Sequence, residues 1–172
     1  MLSKEVLKAL IRWEFHGLRI IKASSKTKRE EITLNVIQRY VATNDGNRND
    51  KIQSHERLQS IIAKCSGKDL TILMGDLNAK VGMDNIGYED IMRRHGPAER
   101  NEDGDRFVIL CAFNKVVIYG TIFPRKHIHK ATWVSPGHTI GNQIDHICIT
   151  RKFRRSMEDV RIKRDDIASD HH

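Results

Sequence analysis

Asp76 and Asn78 stand two residues apart in Leu70-Thr71-Ile72-Leu73-Met74-Gly75-Asp76-Leu77-Asn78-Ala79. There an apolar, partly β-branched run breaks at a glycine and is followed by a carboxylate and a carboxamide. An interior strand that ends this way delivers polar side chains to a site at the edge of a sheet. Other polar residues interrupt or end expected strands at Tyr40, Asp145 and Asp170-His171. Asp145 lies among Ile144, Ile147 and Ile149, where burial is costly unless the carboxylate is paired, hydrogen-bonded or bound to a metal. Hard oxygen ligands suit Mg²⁺ or Mn²⁺ rather than zinc. Asp170-His171 adds an imidazole beside a carboxylate. With a basic surface, this set suggests hydrolysis of phosphate esters in nucleic acid.

Each residue alone has a plainer reading. Asp76 and Asn78 also fit a turn cap after their strand, Asp145 a structural ion pair, and Tyr40 a core or edge tyrosine. His127 and His129, in a basic stretch, fit solvated or phosphate-facing side chains better than metal ligands. His172 carries no weight by itself.

The elements that must position these residues follow from periodicity. A helix is expected over 2–12, with Ser3 as N-cap, then a strand over Leu18–Ala23 after Gly17. Ile32, Leu34 and Val36 alternate with Thr33 and Asn35, the period of a half-buried strand running to Tyr40. Residues 43–47 have turn composition. His55, Leu58, Ile61, Ile62 and Cys65 share one face of a helix over 50–65, and Gly67 is a stop signal before the strand at 70. Residues 80–102 read as a long ordered loop, unusual in a compact domain unless it serves function. A helix over about 104–114, strands at 116–119, 131–134 and 143–150, and a short strand at 160–162 complete the expected order. No repeat or low-complexity linker divides the chain, so one α/β domain over 1–172 is expected.

Composition narrows the partner. The 172 residues carry 30 Lys and Arg against 22 Asp and Glu, a formal charge of +8. That excess favours an anionic partner, nucleic acid being the commonest. No apolar run has the length of a bilayer span, and the N-terminus lacks the uninterrupted apolar core of a signal peptide. Cys65, Cys111 and Cys148 sit among apolar neighbours without CxxC spacing, as buried free thiols of a reducing compartment do. A nuclear or cytoplasmic protein, not a secreted one, is expected. Arg93, Arg94, Arg125, Lys126, Lys130, Arg154 and Arg155, with Trp133, are the candidates for holding nucleic acid; the same clusters also fit solvated surface charge.

The order of motifs is more specific than any one of them. Gly75-Asp76-Leu77-Asn78-Ala79, Thr132-Trp133, Ile144-Asp145-His146-Ile147 and Ser169-Asp170-His171 resemble the endonuclease/exonuclease/phosphatase superfamily. Within it, the chain looks like the apurinic-type endonuclease domain of RTE-group non-LTR retrotransposons, copies of which are often called craniofacial development protein 2-like or endonuclease-reverse transcriptase. Residues 37–44, 96–104 and 128–133 support the likeness, which spans nearly the whole chain.

The resemblance implies a four-layer α/β sandwich of two packed β-sheets flanked by helices, with the site at one edge. Asp76 and Asn78 would hold the nucleophilic water and the scissile phosphate, and Tyr40 would orient or stabilise that phosphate. Asp145 would orient the histidine or help bind the metal, Asp170 would bind Mg²⁺ or Mn²⁺, and His171 would contact a phosphate oxygen. The substrate would be DNA, and a reverse transcriptase domain would be a companion in the parent polypeptide.

Three departures qualify this. The family's first motif, an asparagine and a metal-binding glutamate, has no match here, because Glu5 and Glu14 lie in a different context. The family's closing strand has no counterpart after His172. Val41-Ala42 stands where Ala-Pro is usual, which frees the turn after Tyr40. The fold is therefore expected to be incomplete at its N-terminal and C-terminal strands, the metal weakly held and nuclease activity impaired. The competing expectation is a catalytically inactive, basic nucleic-acid-binding remnant.

Overall fold

The computed structural model describes residues 8–17, 19–29, 31–40, 48–95, 99–122, 133–134, 141–142 and 145–156. Strands β1 (Leu10–Phe15), β2 (Ile20–Lys26) and β3 (Thr33–Arg39) form an antiparallel meander. Helix α1 (Arg48–Ala63) then crosses over to β4 (Leu70–Asp76), which lies parallel to β3. Such a crossover is what a strand–helix–strand order predicts. Helix α2 (Glu102–Phe113) leads through a tight turn into β5 (Val116–Ile118). After the two-residue strands β6 (Trp133–Val134) and β7 (Gly141–Asn142), strand β8 (Asp145–Thr150) inserts antiparallel between β4 and β5. The sheet order is β1-β2-β3-β4-β8-β5, with β6 and β7 as a separate ribbon. The fold is thus α/β, a mixed six-stranded sheet with helices.

Alternation sorts the side chains onto two faces. Ile37, Leu73, Val116, Ile118 and Cys148 point toward the helices and meet Leu58, Ile61, Phe107, Leu110 and Cys111 in the main core. Each such buried aliphatic or aromatic side chain contributes about 1.5–3 kcal/mol. Val117, Tyr119 and Ile149 form a smaller cluster with Leu70, Ile72, Ile122 and Phe153 on the other face. Cys111 and Cys148 are buried and Cys65 half-buried, all three as free thiols.

Two expectations are corrected. Residues 10–12 belong to a strand, and only Lys8 and Ala9 are helical near that end of the described chain. Ile11, Trp13 and Phe15 alternate with Arg12 and Glu14, and Trp13 packs edge-on against Phe15 at 6.1 Å. Pairing with β2 decides in favour of the strand. In β3 the polar positions point inward rather than outward: Asn35 and Arg39 are buried on the helix side with Ile37. Asn35 is satisfied there, accepting a 2.7 Å hydrogen bond from the Ser24 hydroxyl.

The other elements lie within a few residues of expectation. The strand expected at 160–162 and the turn at 43–47 fall outside the described residues.

The loop after β4 is ordered by one arginine. Arg100 Nε donates to the Val81 carbonyl at 2.8 Å, its guanidinium reaches the Asp84 carbonyl and the Asp105 carboxylate, and it lies over the Tyr88 ring. Val81, Ile91 and Met92 are thereby packed into the core.

Candidate active site at one end of the sheet

Three adjacent strands bring the predicted residues together. The parallel β3–β4 register pairs Gln38 with Met74, so Tyr40 stands level with Asp76, two positions further on. The antiparallel β4–β8 register pairs Asp76 directly with Asp145. Leu73 and Cys148 point at the helices, so Asp76 and Asp145 share the opposite face, as does Tyr40, whose neighbour Arg39 points inward. Tyr40 is 59% exposed. One carboxylate on each of two neighbouring strands and a phenol on a third therefore line the same sheet end.

Asn78 follows through a turn built by the motif itself. Asp76 Oδ1 accepts a 2.9 Å hydrogen bond from the Asn78 N–H, an Asx turn, and Asn78 adopts a left-handed φ of 49°. Gly75 is required just before it: its φ is +125°, and a Cβ there would sit 2.0 Å from the Arg39 carbonyl oxygen. The glycine that breaks the apolar run stands where the β3 backbone leaves no room for a Cβ on β4.

Two residues that sequence reasoning missed hold this turn. Asn101 caps α2: its Oδ1 accepts from the Gly104 N–H at 2.8 Å and the Lys80 N–H at 2.9 Å, while Nδ2 donates to the Asn78 carbonyl at 3.2 Å. An asparagine before Glu102-Asp103-Gly104 is an N-cap signal that was available. His146 is fully buried against Phe107, and its Nε2 donates to the Ala79 carbonyl at 2.6 Å, while Nδ1 has no partner among the described residues. An aspartate-flanked histidine inside an apolar strand gives no comparable signal of this role.

Burial is the largest cause pushing the Asp76 carboxyl above the usual aspartate range. The Asn78 N–H opposes this, and the facing Asp145 carboxylate adds to it. Burial holds His146 below the ordinary histidine value despite its bond to Ala79 and the nearby Asp145 charge. Beside this end, Arg39 (7% exposed) shares a small enclosed space with Lys51, His55, Asp103 and Arg106. Burial and then the Arg39 charge also lower the His55 pKa.

Facing carboxylates repel each other across a ladder, and a divalent cation with oxygen preference offsets that repulsion. Mg²⁺ is commonly held by one or two carboxylates plus substrate phosphate, so Asp76 and Asp145, with the Asn78 carboxamide nearby, fit such an ion. Among the described residues no group of three or more His, Cys, Asp or Glu side chains is gathered as a metal cage. Glu14 does not supply the missing carboxylate. It is paired with Arg12 on the edge strand, three strands from β4.

The basic candidates divide. Arg93 and Arg94 are exposed at the site end of the sheet, where the Arg93 N–H bonds Thr121 beyond Ile118 of β5. Arg154 and Arg155 follow the far end of β8, about 17 Å of strand away from Asp145. They stand at the opposite end of the sheet from the carboxylates. Asp170, His171, Arg125, Lys126 and Lys130 lie outside the described residues, as does the side chain of Trp133.

No protein-family model matches the chain. It is 30% identical over 172 residues to craniofacial development protein 2 of Bos taurus, covering 99% of this chain and 28% of that protein. The same protein of Tragulus javanicus is also 30% identical, with 99% and 29% covered. The chain thus spans less than a third of the length of these relatives. Among solved structures it is similar to an AP endonuclease from Archaeoglobus fulgidus, with a TM-score of 0.50, 20% identity, and 80% of this chain and 54% of that one covered. It is also similar to the AP endonuclease LMAP from Leishmania major, with a TM-score of 0.52, 12% identity, and 80% and 47% covered. The fold is that of these AP endonuclease structures.

Proposed function

We propose that the chain is part of a divalent-metal-dependent endonuclease domain of retrotransposon origin that hydrolyses DNA phosphodiesters at the Tyr40–Asp76–Asp145 end of the sheet. The observation that carries this is the register pairing of Asp76 with Asp145, with Tyr40 level with them and Asn78 held just beyond. The AP endonuclease fold and the net charge of +8 support the substrate class. The name shared by the relatives is consistent with the retroelement reading, and a reverse transcriptase domain in the parent polypeptide belongs to the same proposal.

In this reading Asp76 orients the attacking water and accepts its proton. The Asn78 carboxamide orients a phosphate oxygen, and the exposed Tyr40 hydroxyl donates to another. Asp145 would hold the cation together with Asp76. Asp170 would be a further ligand, and His171 would donate to the phosphate. The ion, Mg²⁺ or Mn²⁺, supplies charge neutralisation of the phosphate when bound.

Only two carboxylates meet at the described site. Impaired activity in this span belongs to the same proposal, and the runner-up is an inactive nucleic-acid-binding remnant. Nicking of supercoiled plasmid, with and without Mg²⁺, separates the two. Slow nicking that requires the metal and disappears in Asp76→Ala and His171→Ala is expected. Salt-dependent DNA binding with no metal-dependent nicking at any enzyme concentration would establish the remnant instead.

A further inference from the structure

The end of the sheet opposite the carboxylates carries a surface that the proposed cleavage does not use. An open cleft of about 610 Å³ is walled by Asn114, Lys115, Thr150, Arg151, Lys152 and Arg154. A second depression of about 270 Å³ shares Gly67, Asn114 and Thr150 with it and is lined by Ile62, Val116 and Phe113. The two form one groove, cationic on one side and apolar on the other. Phe113 is 74% exposed at the last turn of α2. Among the described residues Asp90 is the only acid on the cationic wall, and Arg151 engages it. Among the described residues Lys115, Arg154 and Arg155 have no acidic partner.

Lys115 adds an independent observation. It follows the Asn114 cap of α2 with a φ of +54°, a position that helices usually give to glycine. A lysine tolerates this left-handed conformation at some strain, and its carbonyl accepts the Arg151 N–H at 2.8 Å, which fastens the two backbones together beside the groove.

We infer that this groove is a second, non-catalytic site for single-stranded nucleic acid, with Lys115, Lys152 and Arg154 on the phosphates and Phe113 stacked on a base. Exposed aromatics beside a positive groove are how sequence-tolerant single-strand binding is built, since every base has a π-face. The site lies about 17 Å of strand from Asp145, so a strand held here is not the phosphodiester placed for cleavage. The inference does not depend on the chain being a nuclease.

Fluorescence anisotropy with labelled oligo-dT of about 12 nucleotides, in metal-free buffer, tests it independently of cleavage. The wild-type chain is expected to bind with an affinity that falls steeply with salt. Phe113→Ala, which removes an exposed ring and leaves the core intact, weakens binding roughly five- to hundredfold. Paired Lys152→Glu and Arg154→Glu changes weaken it at least about tenfold. Lys115→Gly removes a charge while relaxing the backbone, so lost binding in this variant does not reflect lost fold. Unchanged affinity in Phe113→Ala overturns the proposal. So does an equal loss for duplex of the same length, or displacement by polyglutamate as efficient as by unlabelled oligo-dT.

Discussion

The carbonyl oxygen of Arg39 lies 2.0 Å from where a Cβ on Gly75 would stand, with Gly75 at a φ of +125°. Strands β3 and β4 meet there, one residue before Tyr40 on one strand and one before Asp76 on the other. Gly75→Ala is therefore expected to destabilise the chain by about 2–4 kcal/mol, through backbone strain and forced separation of the strands. Urea denaturation followed by circular dichroism reads this directly. A midpoint within error of wild type would show that the two strands are free to part.

Asn101 ties the turn after Asp76 to the start of α2. Asn101→Ala removes a helix cap and the donor to the Asn78 carbonyl, at a cost of about 1–3 kcal/mol. Asn101→Asp retains the acceptor for Gly104 and Lys80 but loses that donor. It is expected to keep most of the melting temperature while lowering the nicking rate. Equal losses of both in the aspartate variant would reduce Asn101 to a cap alone.

Much of the fold was legible because a regular period accompanies a real burial difference. The β3–α1–β4 crossover was readable from Ile32 to Asp76 for that reason, and so was the Gly75 break. The start of β1 was not, since the spacing of Val6, Leu7, Leu10 and Ile11 suits a helix and only pairing with β2 decides it. Asn35 was assigned outward because alternation assumes one wet face, and this sheet is lined with apolar side chains on both. At the site, types and order picked out Tyr40, Asp76, Asn78 and Asp145. They could not reveal that Arg93 and Arg154 lie at opposite sheet ends, because charge clusters carry no register.

Asp76→Asn is expected to stabilise the metal-free chain slightly. A like-charge cross-strand pair costs roughly 0.2–1 kcal/mol, and solvent at this partly open end keeps the gain toward the lower figure. The amide can still accept the Asn78 N–H. Because the folded carboxyl is raised, the native chain holds its proton more tightly than the unfolded chain does. The gain is thus present at neutral pH and fades as pH falls through the aspartate range. Thermal melts across that range check this, and Mg²⁺ should raise the wild-type melting temperature more than that of the variant. Greater metal stabilisation of the asparagine form would remove Asp76 from the cation site.

His146 and His55 are both held below their ordinary pKa, in each case mainly by burial. The unfolded chain binds protons at these sites near pH 6.5, whereas the folded chain resists them to lower pH. Stability from this source is complete above about pH 6.5 and is lost as pH falls from there toward the folded values. For His146 the loss has a local consequence. Its Nδ1 is buried without a partner among the described residues and Nε2 donates to the Ala79 carbonyl, so a proton taken up at Nδ1 charges a core packed on Phe107. Opening the core to admit that proton is expected to loosen the segment after Asn78, because His146 holds the Ala79 carbonyl. His146→Gln, which keeps a neutral donor, is expected to flatten the dependence of the urea midpoint on pH below 6.5. His55→Gln should flatten it less, since that ring is only partly buried. If His146→Gln leaves the slope unchanged while His55→Gln removes it, proton uptake by the His55–Arg39 cluster controls acid stability, and the histidine under the Asp76–Asn78 turn has no part in it.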